Sequence, residues 1–462
     1  MARQHRLLIG GLFLIVILAS IWLSLSRDEF VPALTETLPY PVVVQSVAPE
    51  LVSSRQLPPG PGFQSPKPVI AADRSGGVVV LSYGLVNDPL ASDILAWRSI
   101  DRGETWGLPE NLTARSTAGE LRFDPWVETD RRGHYYAVYA LRSAGQTLFR
   151  RSDNGGASWS HEMPIRWRHG DRPVLAVSPN GRRIVIAASM SEPVPGAATT
   201  PLDGNAPNVH ELLRARIRHY SGVFLSNNFG KSWHRLPPPF GESTQAIPFS
   251  VVIDDDRQIA ASWIVDGDGS TSQLSVTDDD GETWRNTVLV ESLQPDRPHP
   301  FNGERFPVVA RDGSGRFHTA FITARAEKLL TRSSSDGREW GDATQHSHRS
   351  AEEVRLAAID AIGPMVHVAW IERQGETWQA YYRGSSDQGK TWIDSICLSN
   401  SIQLKNGTIV DGFQIYGDDD QSSLRDDGQG RVHAVWSVQG GIVIHSVIDW
   451  QTESPIGKSL TN

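Results

Sequence analysis

The octapeptide Ser99-Ile-Asp-Arg-Gly-Glu-Thr-Trp106 returns as Ser385-Ser-Asp-Gln-Gly-Lys-Thr-Trp392. Variants close at Trp159 (Ser152, Asn154, Gly156, Ser158), Trp233 (Ser226, Asn228, Gly230, Ser232), Trp284 (Thr277, Asp279, Gly281, Thr283) and Trp340 (Ser333, Ser335, Gly337, Glu339). A seventh, around Asp449-Trp450, keeps only the tryptophan. Successive tryptophans are 53, 74, 51, 56, 52 and 58 residues apart. A period of about 50 residues means a repeated supersecondary unit, and finding it decides the fold.

The residue types are those of a hairpin turn. Ser or Thr and Asp or Asn bond nearby backbone groups, Gly supplies a positive φ, and Trp packs its ring between sheets. These acids are therefore structural, not catalytic. Upstream of most boxes lies an apolar strand, an Asp-x-x-Gly turn and an alternating strand, as in Val69-Ile-Ala-Ala-Asp73-Arg-Ser-Gly76 and Val308-Val-Ala-Arg-Asp312-Gly-Ser-Gly315. Strand, tight turn, strand, connection, strand, box and strand make one four-stranded antiparallel blade. The fold class is all-β, a β-propeller of seven blades, with six as the alternative. The seventh unit ends near Trp450 without room for a fourth strand. Pro41-Val-Val-Val-Gln-Ser-Val47 is the candidate to supply it and close the ring, hiding an open edge.

The chain carries 41 Gly, 29 Pro and 15 Trp in 462 residues, a turn-rich and aromatic composition that agrees with short strands. Its net charge of -9, spread along the chain, excludes the basic face that nucleic acid requires. One cysteine, Cys397, excludes an internal disulfide. Residues 7–26 form an uncharged apolar run bracketed by Arg6 and Arg27, long enough to cross a bilayer core of about 30 Å. With Arg3 and Arg6 ahead of it, the positive-inside rule places residues 1–6 in the cytoplasm and the rest outside. A cleaved signal peptide is the alternative and would secrete the protein. The expected organisation is a tail (1–6), a membrane anchor (7–26), a stalk (27–66) holding the 41–47 strand, the propeller (67–450) and a C-terminal tail (451–462).

Departures from the repeat gather on the face opposite the boxes. They include Ser191 to Tyr220, ending in a basic, helix-like piece from Val209, as well as Ser399 to Ser423 and Gln294 to Arg305. Long loops on one face of a rigid scaffold are where binding usually resides.

Box, blade pattern and length together resemble the sialidase superfamily of Asp-box propellers over roughly residues 40 to 450. Members that hydrolyse sialosides clamp the substrate carboxylate with three arginines, use Tyr as nucleophile with a Glu base, and use Asp as acid. The resemblance thus implies an anionic glycan or another carboxylate-bearing ligand, without a cofactor or a structural metal. The chain departs from that set. Where the family opens its first blade with Arg-Ile-Pro, it has Lys67-Pro68-Val69. Where the nucleophilic Tyr precedes Ser-x-Leu, it has Gln421-Ser-Ser-Leu424, and glutamine cannot be an anionic nucleophile. Candidate catalytic residues are Asp124, Glu304 and Tyr416. Candidate ligand-binding residues are Arg122, Arg172, Arg305, Arg355 and Arg425, which recur where first strands begin, together with Gln421. The expected function is a membrane-tethered, extracytoplasmic, glycan-directed propeller, with the departures weighing against hydrolysis. A divergent exo-sialidase and a protein-binding scaffold or assembly factor are the alternatives.

Overall fold

The computed structural model describes residues 48–59, 67–85, 92–113, 120–141, 145–165, 170–193, 217–241, 244–265, 271–290, 307–323, 325–410, 412, 422–438 and 442–450. These residues form strands and turns and include no helix. The predicted anchor at 7–26 and the strand at 41–47 lie outside the described residues. Among the described residues no helix is long and apolar enough to cross a membrane.

The strands make seven sheets, so the count is seven blades and not six. Blade 1 runs Val69–Ala72, Val78–Leu85, Ser92–Ser99 and Glu110–Asn111, each strand antiparallel to the next. Blades 2 to 6 repeat that order, with innermost strands Arg122–Thr129, Gly170–Val177, Ala246–Ile253, Val308–Arg311 and Glu353–Ile362. Blade 7 takes three strands from the C-terminal end: Ser422–Asp426, Arg431–Val438 and Ile442–Asp449.

Its fourth strand comes from the other end of the chain, as expected, but it is Glu50–Gln56 and not the 41–47 stretch. Glu50 lies opposite Asp449, and Gln56 lies opposite Ile444. The sequence Glu-Leu-Val-Ser-Ser-Arg-Gln hides this role because an outermost strand is only partly buried and can be polar. Two short strands, Ile402–Gln403 and Ile409–Val410, add beyond it, so the closing strand is itself covered. They come from the blade 6–7 connection, where sequence reading expected only a long loop. The helix-like piece expected to end at Tyr220 is also corrected at its end, because the strand Ile217–Ser226 already begins at Ile217.

Each seam between blades holds its own apolar core, and seven such cores go round the ring. Seam 1–2 packs Val69, Val79 and Ile94 against Ala137 and Tyr139. The closing seam 7–1 packs Ile70 and Trp97 against Val435 and Val443. In each box the hydroxyl and the Asp or Asn side chain fold the turn. In the first, Gly103 N donates to Ser99 Oγ (3.0 Å), while Thr105 N donates to Asp101 Oδ1 (2.9 Å). The fifth box is one residue shorter than read: Ser334 and Asp336, not Ser333 and Ser335, make its bonds to Gly337 N and Glu339 N.

The box glycines meet a second demand. A Cβ on Gly156 of blade 2 would lie 2.7 Å from Val79 Cγ2 of blade 1, and one on Gly337 of blade 5 would lie 2.9 Å from Val276 of blade 4. The boxes of blades 1 to 5 therefore press their backbone onto the preceding blade.

Candidate functional site

The innermost strands begin at the face opposite the boxes, and four of them break their ladder near that end, that of blade 4 between Pro248 and Ser250. Register shifts between Phe123 and Trp126, between Asp171 and Val174, and between Arg355 and Ala358. Within these bulges Asp124 (φ 50°), Arg172 (φ 47°) and Leu356 (φ 54°) adopt left-handed backbone, a conformation that costs a non-glycine residue about 1–3 kcal/mol. Bulges of this kind re-aim side chains at barrel and propeller rims.

The described candidates sit in separate, already satisfied groups. Asp124 accepts a 2.7 Å ion pair from Lys67 of blade 1, with both side chains about nine-tenths buried. Arg122 grips Glu162 through Nε (3.0 Å) and Nη2 (3.2 Å), and Glu120 through Nη1 (3.0 Å). Burial alone would lower the Arg122 pKa, but the two glutamates outweigh it and hold the guanidinium above its ordinary value. Tyr139 donates to the same Glu162 at 2.7 Å, and burial first, then this carboxylate, raises its phenol. Arg355 pairs with Glu353 at 2.8 Å and lies over the Trp378 ring, 4.8 Å from its centroid. Arg172 occupies the bulge of blade 3. Glu304, Arg305, Tyr416 and Gln421 lie outside the described residues.

Arg425 requires a correction. It is the fourth residue of Ser422–Asp426 and stands two positions before the turn residue Asp427, so it is at the box end of the channel and not at the loop-face mouth. There it pairs with Glu128, which stands two positions before Asp130 in blade 2. Asp360 of blade 6 joins them, accepting from Asp426 N at 2.8 Å and lying 3.8 Å from Arg131. Burial raises the Glu128 pKa, opposed by Arg425. Blades 2, 6 and 7 are thus pinned by charges across the channel.

Sequence reading missed Lys67, Glu120, Glu162 and Glu353, the partners of the candidate residues. Lys67-Pro68, Asp124-Pro125 and Arg172-Pro173 share one slot, a polar residue before proline where a first strand opens, and that shared slot was the available signal. The described residues contain no group of three or more His, Cys, Asp or Glu able to hold a metal ion.

No protein-family model matches the chain, and no curated protein matches it by sequence. Among solved structures it is similar to a protein of unknown function from Dyadobacter fermentans, at 14% identity and a TM-score of 0.48, covering 87% of this chain and 99% of that one. It is similar to a Hadza microbial sialidase, Hz136, at 15% identity and a TM-score of 0.44, covering 83% of this chain but only 65% of that one. An ulvan lyase of polysaccharide lyase family PL25 is similar at 12% identity and a TM-score of 0.46, covering 84% of this chain and 95% of that one. Seven blades with six hydrogen-bonded boxes define the class among the described residues: a seven-bladed Asp-box β-propeller.

Proposed function

We propose that the chain is a glycan-recognising propeller that takes an acidic or other carboxylate-bearing ligand at its loop face and does not hydrolyse sialosides. The observation carrying this reading is the Lys67–Asp124 pair beside Arg122 with its two glutamates. A general acid must offer a proton to a leaving group, and an arginine clamp must offer two free N–H groups to a carboxylate. Asp124 faces an ammonium at 2.7 Å, and Arg122 is already forked onto Glu162. What these groups supply is a rigid, charge-balanced rim suited to holding a ligand. The tether is part of the same proposal and rests on the apolar run at 7–26.

The test uses the full-length chain with a fluorogenic sialoside and, separately, calorimetric titration with a sialylated oligosaccharide. We expect no fluorophore release, and binding that Arg305→Ala weakens. Release abolished by Arg305→Ala would make the protein a divergent sialidase. Absence of binding to any acidic glycan would remove the glycan reading and favour a protein-binding scaffold. Resistance of the protein to carbonate extraction from membranes tests the tether.

A further inference from the structure

Two serine–histidine–carboxylate chains exist in the described residues, and their surroundings tell them apart. In the first, Ser333 Oγ lies 2.8 Å from His318 Nδ1, and His318 Nε2 lies 3.1 Å from Asp312. His318 is 1% exposed, and Gly389 of the next blade's box covers the pair. It is a packed element of seam 5–6 with no path for a substrate.

The second chain reaches solvent. Ser395 Oγ lies 3.1 Å from His348 Nε2, and His348 Nδ1 lies 2.6 Å from Glu372 Oε1. The three residues come from three elements. His348 lies in the connection between blades 5 and 6, Glu372 near the end of Met365–Gln374, and Ser395 just before Ile396–Cys397. Glu372 is fully buried and accepts four N–H groups: His348 N (3.1 Å), His348 Nδ1, Trp370 Nε1 (2.8 Å) and Gln374 Nε2 (2.8 Å). A carboxylate engaged this way only accepts, so Nδ1 carries the ring proton and Nε2 is left to take one from Ser395. Tyr381 fixes the ring from the side, edge to face at 4.6 Å. The His348 side chain is 36% exposed and Ser395 is half-buried. The order of contacts, hydroxyl to Nε2 and acid to Nδ1, is that of an acyl-transfer triad, with a buried acid orienting the base.

We propose that Ser395, His348 and Glu372 form a second, esterase-type site on the flank of seam 5–6, acting on carboxylic esters. Ser395 Oγ adds to the ester carbonyl carbon while its proton passes to His348 Nε2. The tetrahedral adduct expels the alcohol oxygen, which takes that proton, and the acyl group stays on Ser395. Water adds to the acyl carbon, His348 again receives and returns a proton, and the acid leaves with the hydroxyl of Ser395 restored. Ester plus water gives acid plus alcohol, with no other reactant. Glu372 is a positioning residue, holding the tautomer that makes Nε2 a base. Arg383, bound through Nε to the Ile393 carbonyl at 2.7 Å, is the cation beside this strand.

The experiment treats the full-length chain in mild detergent with p-nitrophenyl acetate and, separately, with a fluorophosphonate, and locates the adduct by peptide mass. We expect phosphonylation at Ser395 and p-nitrophenolate release above the background left in Ser395→Ala. His348→Gln should reduce both by about 100-fold or more, the usual contribution of a general base. Glu372→Gln should lower the rate and change its pH profile, with partial return in Glu372→Asp. Unlabelled Ser395 in protein of unchanged melting temperature would overturn the proposal, as would equal labelling in a folded His348→Gln. If Glu372→Gln fails to fold, the Ser395 and His348 variants decide alone. None of the three is among the residues offered for glycan binding, so this site and the glycan reading fail independently.

Discussion

Gly156 and Gly389 hold the same place in their boxes and the same backbone, with φ 80° at each, yet they have different neighbours. Against Gly156 a methyl group would meet Val79 at 2.7 Å, whereas against Gly389 it would meet the hydroxyl of Ser333 at 3.4 Å. Gly389→Ala should therefore cost about 1 kcal/mol, the left-handed penalty alone. Gly156→Ala should cost about 2–4 kcal/mol, because overpacking at a seam is added. Chemical denaturation of the two variants measures the difference, and equal losses would refute the seam contact. The turn role of these glycines was legible in the sequence, since a positive φ follows from local pattern. Their pressure on the preceding blade was not, because Val79 and Gly156 meet only once the ring exists. The same limit hid the Lys67 partner of Asp124 and the convergence of Ser395, His348 and Glu372. Such pairings belong to the assembled fold, and no local spacing encodes them.

The closing strand Glu50–Gln56 is held by more than its ladder. Ser54 Oγ reaches the Leu398 carbonyl at 2.5 Å and the Ser446 hydroxyl, and Trp97 Nε1 donates to the Pro58 carbonyl at 2.7 Å just past the strand. Removing residues 48–58 should open the seventh blade, lower the melting temperature and expose the Ile442–Asp449 edge, which pairs readily with other strands. A synthetic peptide of the 48–58 sequence added to the truncated chain should restore the melt by strand addition. Failure of the peptide to bind, with the truncated chain as stable as the parent, would show that closure does not need this strand. That a strand from the N-terminal side closes the ring was legible, because seven units left one blade short. Its position was not: the valine run at 41–47 has the stronger strand pattern, while the true closer is polar wherever it meets solvent.

Across the whole ring, the innermost strands carry small apolar residues two positions before their turn aspartates, Ala71 before Asp73 and Ala310 before Asp312. Blades 2 and 7 put Glu128 and Arg425 at that level instead, and Asp360 of blade 6 completes the group. Neither Glu128 nor Arg425 is more than 17% exposed. Losing one partner strands the other in a poorly solvated site, so Glu128→Gln or Arg425→Met should each cost about 3–5 kcal/mol. The double variant should cost clearly less than the sum, and a double-mutant cycle by denaturation reads the coupling directly. Additive losses would mean that the charges act separately.

Closure by Glu50–Gln56 also sets a timetable for synthesis. The strand leaves the ribosome well ahead of its partner Ile442–Asp449, with six blades made between them. At about 5–20 residues per second the interval is on the order of 20–80 s. Throughout that time the nascent chain carries an unmatched strand and a ring that cannot yet close, so its passage to the native state depends on whatever shields that segment until Ile442–Asp449 is made.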